Sequence, residues 1–303
     1  GNSAIFSNTT ASGTTAVGYE ALYNNTGNYN IAFGGQAGKG ITTGTENCAI
    51  GRASMRNGVV TGSSNTSVGN FALYNLSSGA SNVAVGKSAL SSNTTASCTT
   101  AVAAIALYAN TTGDSNTAVG DSALTTNTTG NYNTAVGERA MQYNTTGASN
   151  TAMGKRALRQ NSTGANNTAM GHNALAANTT ASNNTATGYR ALVSNTTGAT
   201  NTAVGAYSLD ANTTGTSNTA VGKSSLSTVS TGSHNSARGA ESLYKVTTGI
   251  YNTAIGYQAG YNVTTGGNNV FVGRKAGFYA TSQTTGNTST FLGSYSYPLD
   301  GNS

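Results

Sequence analysis

The sequence predicts an all-β fold, a parallel β-roll (β-solenoid) in which each 17-residue repeat forms one rung. From Asn116 to Gly273 the phrase Asn-Thr-Ala-Val-Gly-x-x-Ala-Leu-x-x-Asn-Thr-Thr-Gly-x-x recurs at a constant spacing of 17 residues. A fixed period this short is typical of a solenoid, because each repeat forms one layer that stacks on its neighbours. Seventeen residues are also too few for two helices, and the Gly, Asn and Thr of every copy disfavour helix.

The first element of the repeat, Asn-Thr-Ala-Val, is predicted to be a short strand, and the Ala-Leu segment a second extended piece. Gly and Asn lie at the ends of these pieces, because both residues tolerate the left-handed backbone of tight corners. Neighbouring residues of a strand point to opposite sides. We therefore expect Ala118 to line the narrow interior of the coil, and the bulkier Val119 and Leu124 to face outward.

Outward Val and Leu require a partner surface, and identical copies around a threefold axis would supply one. This argument favours a homotrimer. The alternative is a monomer with Val and Leu inside and Ala outside. Arg238 and Thr187 occupy the Val position of their repeats, and an unpaired Arg in a dry core is costly, which argues against the monomer.

Two Asn positions of the repeat are predicted to form ladders, because identical side chains stack in register and amides hydrogen-bond along the column. The second column changes to Val229, Val246 and Val263, which indicates a position sheltered from water. We therefore interpret its Asn-x-Ser/Thr triplets as structural, although such triplets accept glycans in secreted eukaryotic proteins. The first column comprises Asn116, Asn133, Asn150, Asn167, Asn184 and Asn201, and the second comprises Asn127, Asn144, Asn178 and Asn195.

The repeat is predicted to run through residues 1–293 as a single solenoid of about seventeen rungs, followed by a cap or exit segment over residues 294–303. Insertions interrupt the spacing only in the connecting segments. Cys48 and Cys98 lie three rungs apart, or ~14 Å at the usual strand spacing. This distance exceeds the ~7 Å Cα limit of a disulfide, so both thiols are expected to be unpaired.

Composition argues against several functions. Charged residues are 7% of the chain, and its 14 Lys and Arg are scattered, so nucleic-acid binding is not predicted. No apolar segment approaches the ~20 residues of a membrane span, so direct membrane insertion is not predicted. His172 and His234 lack Cys or acidic neighbours at ligand spacing. With no acid–base pair and no phosphate-binding loop, we expect no catalytic residue, metal or cofactor, and no enzymatic activity.

The two positions that follow each repeat glycine vary most and hold much of the charge and several tyrosines. They predict a solvent-facing stripe, which is either a solubilising surface or a recognition surface. A trimer would display three copies of it, so that weak contacts multiply by avidity. The candidate recognition residues, called the stripe below, are Tyr19, Arg139, Arg156, His172, Tyr189, Arg190, Tyr207, Tyr257 and Arg274.

The Asn-(Thr/Ser)-Ala-(Val/Ile)-Gly phrase resembles the head repeat of YadA-like trimeric autotransporter adhesins. The longer phrase is similar to repeats in phage-type tail fibres and in fibre-like surface proteins of bacteria. The resemblance covers nearly the whole chain and implies a left-handed roll in a tightly packed homotrimer, with no catalytic residue in this region. The period of 17 is longer than the usual autotransporter repeat, so a larger cross-section is expected.

The expected function is that of an extracellular structural and adhesive fibre segment, on a virion or cell surface, that contacts a host, prey or matrix surface. Its expected partners are identical chains and surface glycans or other cell-surface receptors. One alternative is a non-enzymatic subunit of a continuous extracellular filament. A lesser alternative is an ice-binding solenoid, which is disfavoured because the paired threonines are adjacent, as in Thr128-Thr129, and should point in different directions.

Overall fold

A computed structural model describes residues 1–278 and 285–296 of the chain. Within them it contains seventeen three-residue strands and no helix, so no membrane-spanning helix is found there. The prediction of an all-β parallel β-solenoid with a 17-residue repeat is confirmed. Of the predicted cap, residues 297–303 lie outside the described residues.

The chain divides into two compact units, Gly1–Asn150 and Thr151–Ser303. The first unit contains β1 (Thr15–Val17), β2 (Ile31–Phe33), β3 (Cys48–Ile50), β4 (Thr66–Val68), β5 (Val83–Val85), β6 (Thr100–Val102), β7 (Thr117–Val119) and β8 (Thr134–Val136). The second contains β9 (Thr151–Met153), β10 (Thr168–Met170), β11 (Thr185–Thr187), β12 (Thr202–Val204), β13 (Thr219–Val221), β14 (Ser236–Arg238), β15 (Thr253–Ile255), β16 (Val270–Val272) and β17 (Thr290–Leu292).

Within each unit, consecutive strands pair in parallel with equivalent repeat positions opposite one another. Ala118 of β7 lies opposite Ala135 of β8, and Ala169 of β10 lies opposite Ala186 of β11. The additional residue between β3 and β4 does not disturb this register, since Ala49 still lies opposite Ser67. The regular spacing of the sequence therefore corresponds to vertical stacking of like residues.

The interior of the coil is lined by the middle residue of each strand and by the Leu of the following turn. Ala118 and Leu124 are both fully buried, whereas Val119 is exposed. The expectation for Ala and Val holds, and the monomer alternative with Ala outside and Val inside is wrong about side-chain placement. The prediction that Leu124 faces outward is also wrong, because the Leu side chain fills the interior beside the small Ala.

The predicted second extended piece is likewise absent from the structure. Residues 121–126 form turns in place of a strand, with φ of 57° at Ser122 and 50° at Leu124. A left-handed backbone at a non-glycine residue costs roughly 1–2 kcal/mol. Contacts between successive repeats offset this cost, since Leu124 N–H donates to the Ala140 carbonyl at 3.0 Å. The left-handed turn also rotates Leu124 inward.

The interior volume is held nearly constant where the repeat departs from Ala and Leu. Phe271 and Phe291 replace the inner Ala, and their rings stack with centroids 5.4 Å apart. In the neighbouring turns Gly260 and Gly277 replace Leu. A Cβ at Gly260 would lie 2.7 Å from Phe271 Cδ2. The large ring thus occupies the space that Leu fills elsewhere, as close packing requires.

The glycine that ends each strand has a backbone conformation that side chains rarely adopt. Gly120 has φ of 134°, and a Cβ there would lie 2.7 Å from the carbonyl carbon of Gly137. Ala103 occupies this position in its own repeat with φ of 120°. Ala103 therefore carries a strain that the glycines at equivalent positions avoid.

We predict that Ala103→Gly raises the free energy of unfolding by about 1 kcal/mol. Relief of the strained backbone contributes on the order of 1–3 kcal/mol, and the greater freedom of Gly in the unfolded chain removes ~0.4–1 kcal/mol of that gain. Urea denaturation followed by circular dichroism measures the change. Gly120→Ala is the matched control, since it places the same strain one repeat later and should lower the midpoint. A lower midpoint for Ala103→Gly would contradict the strain.

Candidate functional site

The first exposed surface, called the strand face below, consists of the first and third residues of the strands. In the third position the more exposed apolar side chains have 37% to 67% of their surface accessible. They are Val17, Phe33, Ile50 and Val119 in the first unit, and Met153, Met170, Val204, Val221, Ile255 and Leu292 in the second. Parallel strands place such residues ~4.7–4.8 Å apart, so the first unit carries a continuous apolar column, whereas Thr187 and Arg238 interrupt the column of the second unit. Contiguous exposed apolar surface is typical of an interaction site.

Threonines dominate the other column of the strand face. Thr117 and Thr134 are half-buried, and the described residues provide no hydrogen-bond partner for their hydroxyls. By contrast, the Thr128 hydroxyl, which lies in a turn, donates to the Thr145 carbonyl at 3.1 Å. The strand face therefore combines apolar side chains with hydroxyls that remain available to a partner or to water. Arg238 is exposed on the same face.

The stripe lies on the turns that follow the strands. Most of its members are exposed, while Arg139 and Arg156 are half-buried. The structure brings four of them together. The rings of His172 and Tyr189 stack with centroids 5.6 Å apart, Tyr189 meets Tyr207 edge-on at 5.2 Å, and the Arg190 guanidinium lies 5.9 Å from the Tyr207 ring centroid.

Other members of the stripe have separate surroundings. Arg139 Nε lies 3.8 Å from Glu138 Oε1, and Arg274 lies 5.2 Å from the centroid of the Tyr295 ring. Tyr19 precedes Glu20, whose carboxylate accepts hydrogen bonds from Lys39 Nζ at 2.7 Å and Gln36 Nε2 at 2.9 Å. These hydrogen bonds lower the pKa of Glu20 to about 2. The hydrogen bond and negative charge of Glu20 raise the pKa of Tyr19.

A second aromatic column, which was not predicted from the sequence, lies in the position directly after the buried Leu. Tyr244 and Tyr261 stack there with centroids 5.1 Å apart and planes 5° apart. Lys245 Nζ lies 5.4 Å from the Tyr261 ring centroid. The Leu-Tyr dipeptides at Tyr23, Tyr74, Tyr108 and Tyr244 were a usable signal, since a shared repeat position places side chains in one column.

The structure places both predicted Asn columns in the interior, where all ten named side chains are fully buried. In the first column, Asn116 Nδ2 donates to the Gly130 carbonyl at 2.7 Å, and its Oδ1 accepts the Asn133 N–H at 2.9 Å. In the second, Asn127 Nδ2 donates to Asn110 Oδ1 at 2.8 Å and to the Gly130 carbonyl at 3.0 Å. These amides act as interior structural groups.

In the second unit the second column ends abruptly. Asn178, Asn195 and Asn212 each donate to the Oδ1 of the preceding Asn at 2.7–3.0 Å. The next position is Val229, which is also fully buried. Asn212 Oδ1 has no donor, because Val229 replaces the amide that would supply one.

Within residues 1–278 and 285–296 the titratable side chains do not cluster into one site. No group of three His, Cys, Asp or Glu lies close enough there to hold a metal ion. Cys48 and Cys98 are both free thiols, and burial raises the pKa of Cys48. Comparisons with protein-family models and with curated proteins find no match to this chain. The candidate functional features are therefore the strand face and the stripe.

We predict that Asn127→Asp destabilises the protein by about 3 kcal/mol or more, because the carboxylate oxygen that replaces Nδ2 would face Asn110 Oδ1 and the Gly130 carbonyl, two acceptors, in the buried interior. The shift of the urea midpoint measures the loss. Asn131→Asp is the matched control. Asn131 Oδ1 accepts the Asp114 N–H, and Asp114 itself accepts the Ser97 N–H in the same repeat position. Equal midpoints for the two variants would contradict the role of the buried column.

Proposed function

We propose that this protein is an extracellular structural and adhesive fibre segment. Its chains associate as a homotrimer through the strand face, and the stripe contacts a host, prey or matrix surface. The supporting observation is the exposed apolar column of the strand face. Ala, Leu and Asn already fill the interior, so the outward Val, Met and Ile side chains contribute little to the core of a single chain. Their burial between copies would stabilise an assembly by about 25 cal/mol per Å².

A threefold axis parallel to the strand stack suits this face. Each strand of one copy would then meet the equivalent strands of the other two at the same height, so that one local contact repeats along the face. The resemblance to YadA-like head repeats supports both this trimer and a left-handed coil. It also supports a location outside the cell, on a cell surface or in a virion fibre.

The stripe supports the adhesive part of the proposal. Tyr and Arg are enriched among residues that dominate the binding energy of interfaces. The cluster of His172, Tyr189, Arg190 and Tyr207 offers aromatic faces and a cation on one exposed surface. Surface glycans are partners of suitable chemistry, and three copies of the cluster would increase weak affinity through avidity.

The homotrimer predicts a native mass near three times the chain mass of 30.2 kDa. Val119→Glu should lower the mass to that of one chain, because every neighbouring position of the column from Val68 to Val136 is Val, and three copies of the carboxylate would meet there without a cation. The fold of the chain should survive, as Arg238 already occupies an equivalent position. Thr180→Glu, on an exposed turn, is the control and should leave the mass unchanged. Light scattering coupled to size-exclusion chromatography measures it.

The two native thiols provide an internal check on the same interface. Cys48 lies on the strand face, in β3, and Cys98 lies on an exposed turn. Assembly should protect Cys48 from a thiol reagent and leave Cys98 reactive, and Val119→Glu should restore the reactivity of Cys48. A wild-type mass of 30.2 kDa would refute the trimer.

Binding of the assembled protein to a glycan array tests adhesion. If no glycan on the array is bound and electron micrographs show continuous threads, the filament alternative is favoured.

A second candidate, ice binding, is favoured by the geometry of the strands. In Thr202–Val204 the Thr and Val flank an inward Ala, and the threonine hydroxyls have no partner among the described residues. Thr128 and Thr129, whose adjacency disfavoured ice binding, lie on a turn and not on the strand face. An ice surface needs a bare strand face, so this function and the trimer exclude each other.

Ice binding predicts a protein of single-chain mass that produces thermal hysteresis. In that case Thr202→Lys, which inserts a long charged side chain into the Thr column, should abolish the hysteresis. Thr197→Lys on an exposed turn should leave it unchanged. Nanolitre osmometry measures the effect, and a trimer without hysteresis would exclude ice binding.

A further inference from the structure

An open depression of ≈ 290 Å³ lies on the turns of the second unit. Three arginines line it together with smaller side chains. The residues that matter for its chemistry are Arg156, Arg159, Arg190, Asn173, Ala176 and Val193. Several guanidinium groups therefore border one concave surface.

The depression results from the stacking of unequal side chains in two columns. Arg156, Asn173 and Arg190 occupy one repeat position in three successive turns, so the outer two lie about 9.5 Å apart at the usual strand spacing. Arg159, Ala176 and Val193 occupy a second position in the same turns. The short middle residues leave a gap between the arginines that flank it.

The local charge is strongly positive. No acidic residue occurs between Glu138 and Asp210, whereas that stretch contains Arg139, Lys155, Arg156, Arg159 and Arg190. Asp210 itself accepts a hydrogen bond from Ser227 Oγ at 2.5 Å. Arg156 and Arg190 therefore have no carboxylate of this chain in their own turns or in the turn between them. Such a surface attracts anions.

Arg156 adds a specific indication. Its Nε is buried and has no hydrogen-bond acceptor among the described residues, and no ion pair involves its guanidinium there. Holding a guanidinium in this way costs free energy that a bound oxyanion would offset. Arg190 makes no ion pair within the described chain, and its guanidinium lies beside the Tyr207 ring.

We infer that this depression binds the carboxylate or sulfate group of an acidic saccharide. Guanidinium groups present a planar fork of donors that matches the paired oxygens of a carboxylate or sulfate. Asn173 and Arg190 line the depression, and the residues that precede them in the chain, His172 and Tyr189, stack their rings with centroids 5.6 Å apart. These rings offer apolar faces on which a sugar can pack, which a simple anion would not require. The inference rests on the proposed adhesive function and specifies its ligand class.

Immobilised dextran sulfate, polygalacturonate and neutral dextran test this inference with the full chain. The sulfated polymer and the carboxylated polymer distinguish the two sources of oxyanion, and neutral dextran measures binding without one. We expect the wild-type protein to bind at least one acidic polymer and not neutral dextran. The Arg156→Gln/Arg190→Gln double variant should bind about tenfold more weakly or worse, corresponding to the loss of about one charge-assisted hydrogen bond.

Two further variants separate the site from general charge attraction. Lys223→Gln/Lys245→Gln removes the same net charge elsewhere on the second unit, at exposed positions outside the stripe, and should bind like the wild type. Arg156→Lys/Arg190→Lys keeps the charge but removes the planar fork, and should also bind more weakly. Circular dichroism and melting curves should show that all variants fold alike.

Equal weakening by the Lys223/Lys245 control would overturn the inference in favour of net charge. Absence of binding to both acidic polymers would overturn it as well. If the glycan array then shows binding to neutral glycans, the adhesive function stands and only this ligand class is wrong. If the array also shows no binding to any glycan, the adhesive proposal fails together with this inference.

Discussion

The structure depends on the hydrogen bonds that close each turn of the coil. Asn116 at the start of a repeat and Asn127 near its end both donate to the carbonyl of Gly130, at 2.7 and 3.0 Å. A coil this narrow encloses only two Ala and a Leu in a typical repeat, such as Ala118, Ala123 and Leu124, which is too little apolar surface to fix its cross-section. Buried amides with every donor satisfied perform that task, because leaving such groups unpaired is costly.

Because the coil is closed in this way, the residues at interior positions are nearly the same in every repeat, whereas the residues at exterior positions vary. Asn, Ala, Leu and Gly recur at the inner positions because each must stack on its own copy in the next turn. The outward positions of the turns face no such requirement and hold Tyr, Arg, Lys, His or small residues in different repeats. Chemistry that distinguishes one part of the molecule from another is therefore found on the turns, where a change of side chain leaves the backbone hydrogen bonds intact.

Much of the fold followed from spacing alone. The constant period predicted parallel strands in register, and alternation within a strand predicted buried Ala118 and exposed Val119. Alternation failed at Leu124, because it applies only to extended backbone and the left-handed turn rotates the Leu inward. The stripe followed from variability after each glycine. The contact of Arg190 with Tyr207 joins the same position in adjacent turns, whereas that of Tyr189 with Tyr207 joins different positions. Such contacts depend on side-chain rotamers that a one-dimensional pattern does not contain. The depression at Arg156 required comparing three successive turns.

The buried Asn column of the second unit has one further property. Asn178, Asn195 and Asn212 each donate toward the preceding turn and accept from the following one, up to the unpaired Oδ1 of Asn212. All the amide dipoles therefore point along the stack in the same sense, and each polarises the next. Rotating one amide by half a turn would set oxygen against oxygen on one side and donor against donor on the other. Because each Nδ2 also donates to the carbonyl three residues later, at 2.9–3.0 Å, the backbone fixes this orientation in every turn, and the row ends at the unpaired oxygen of Asn212.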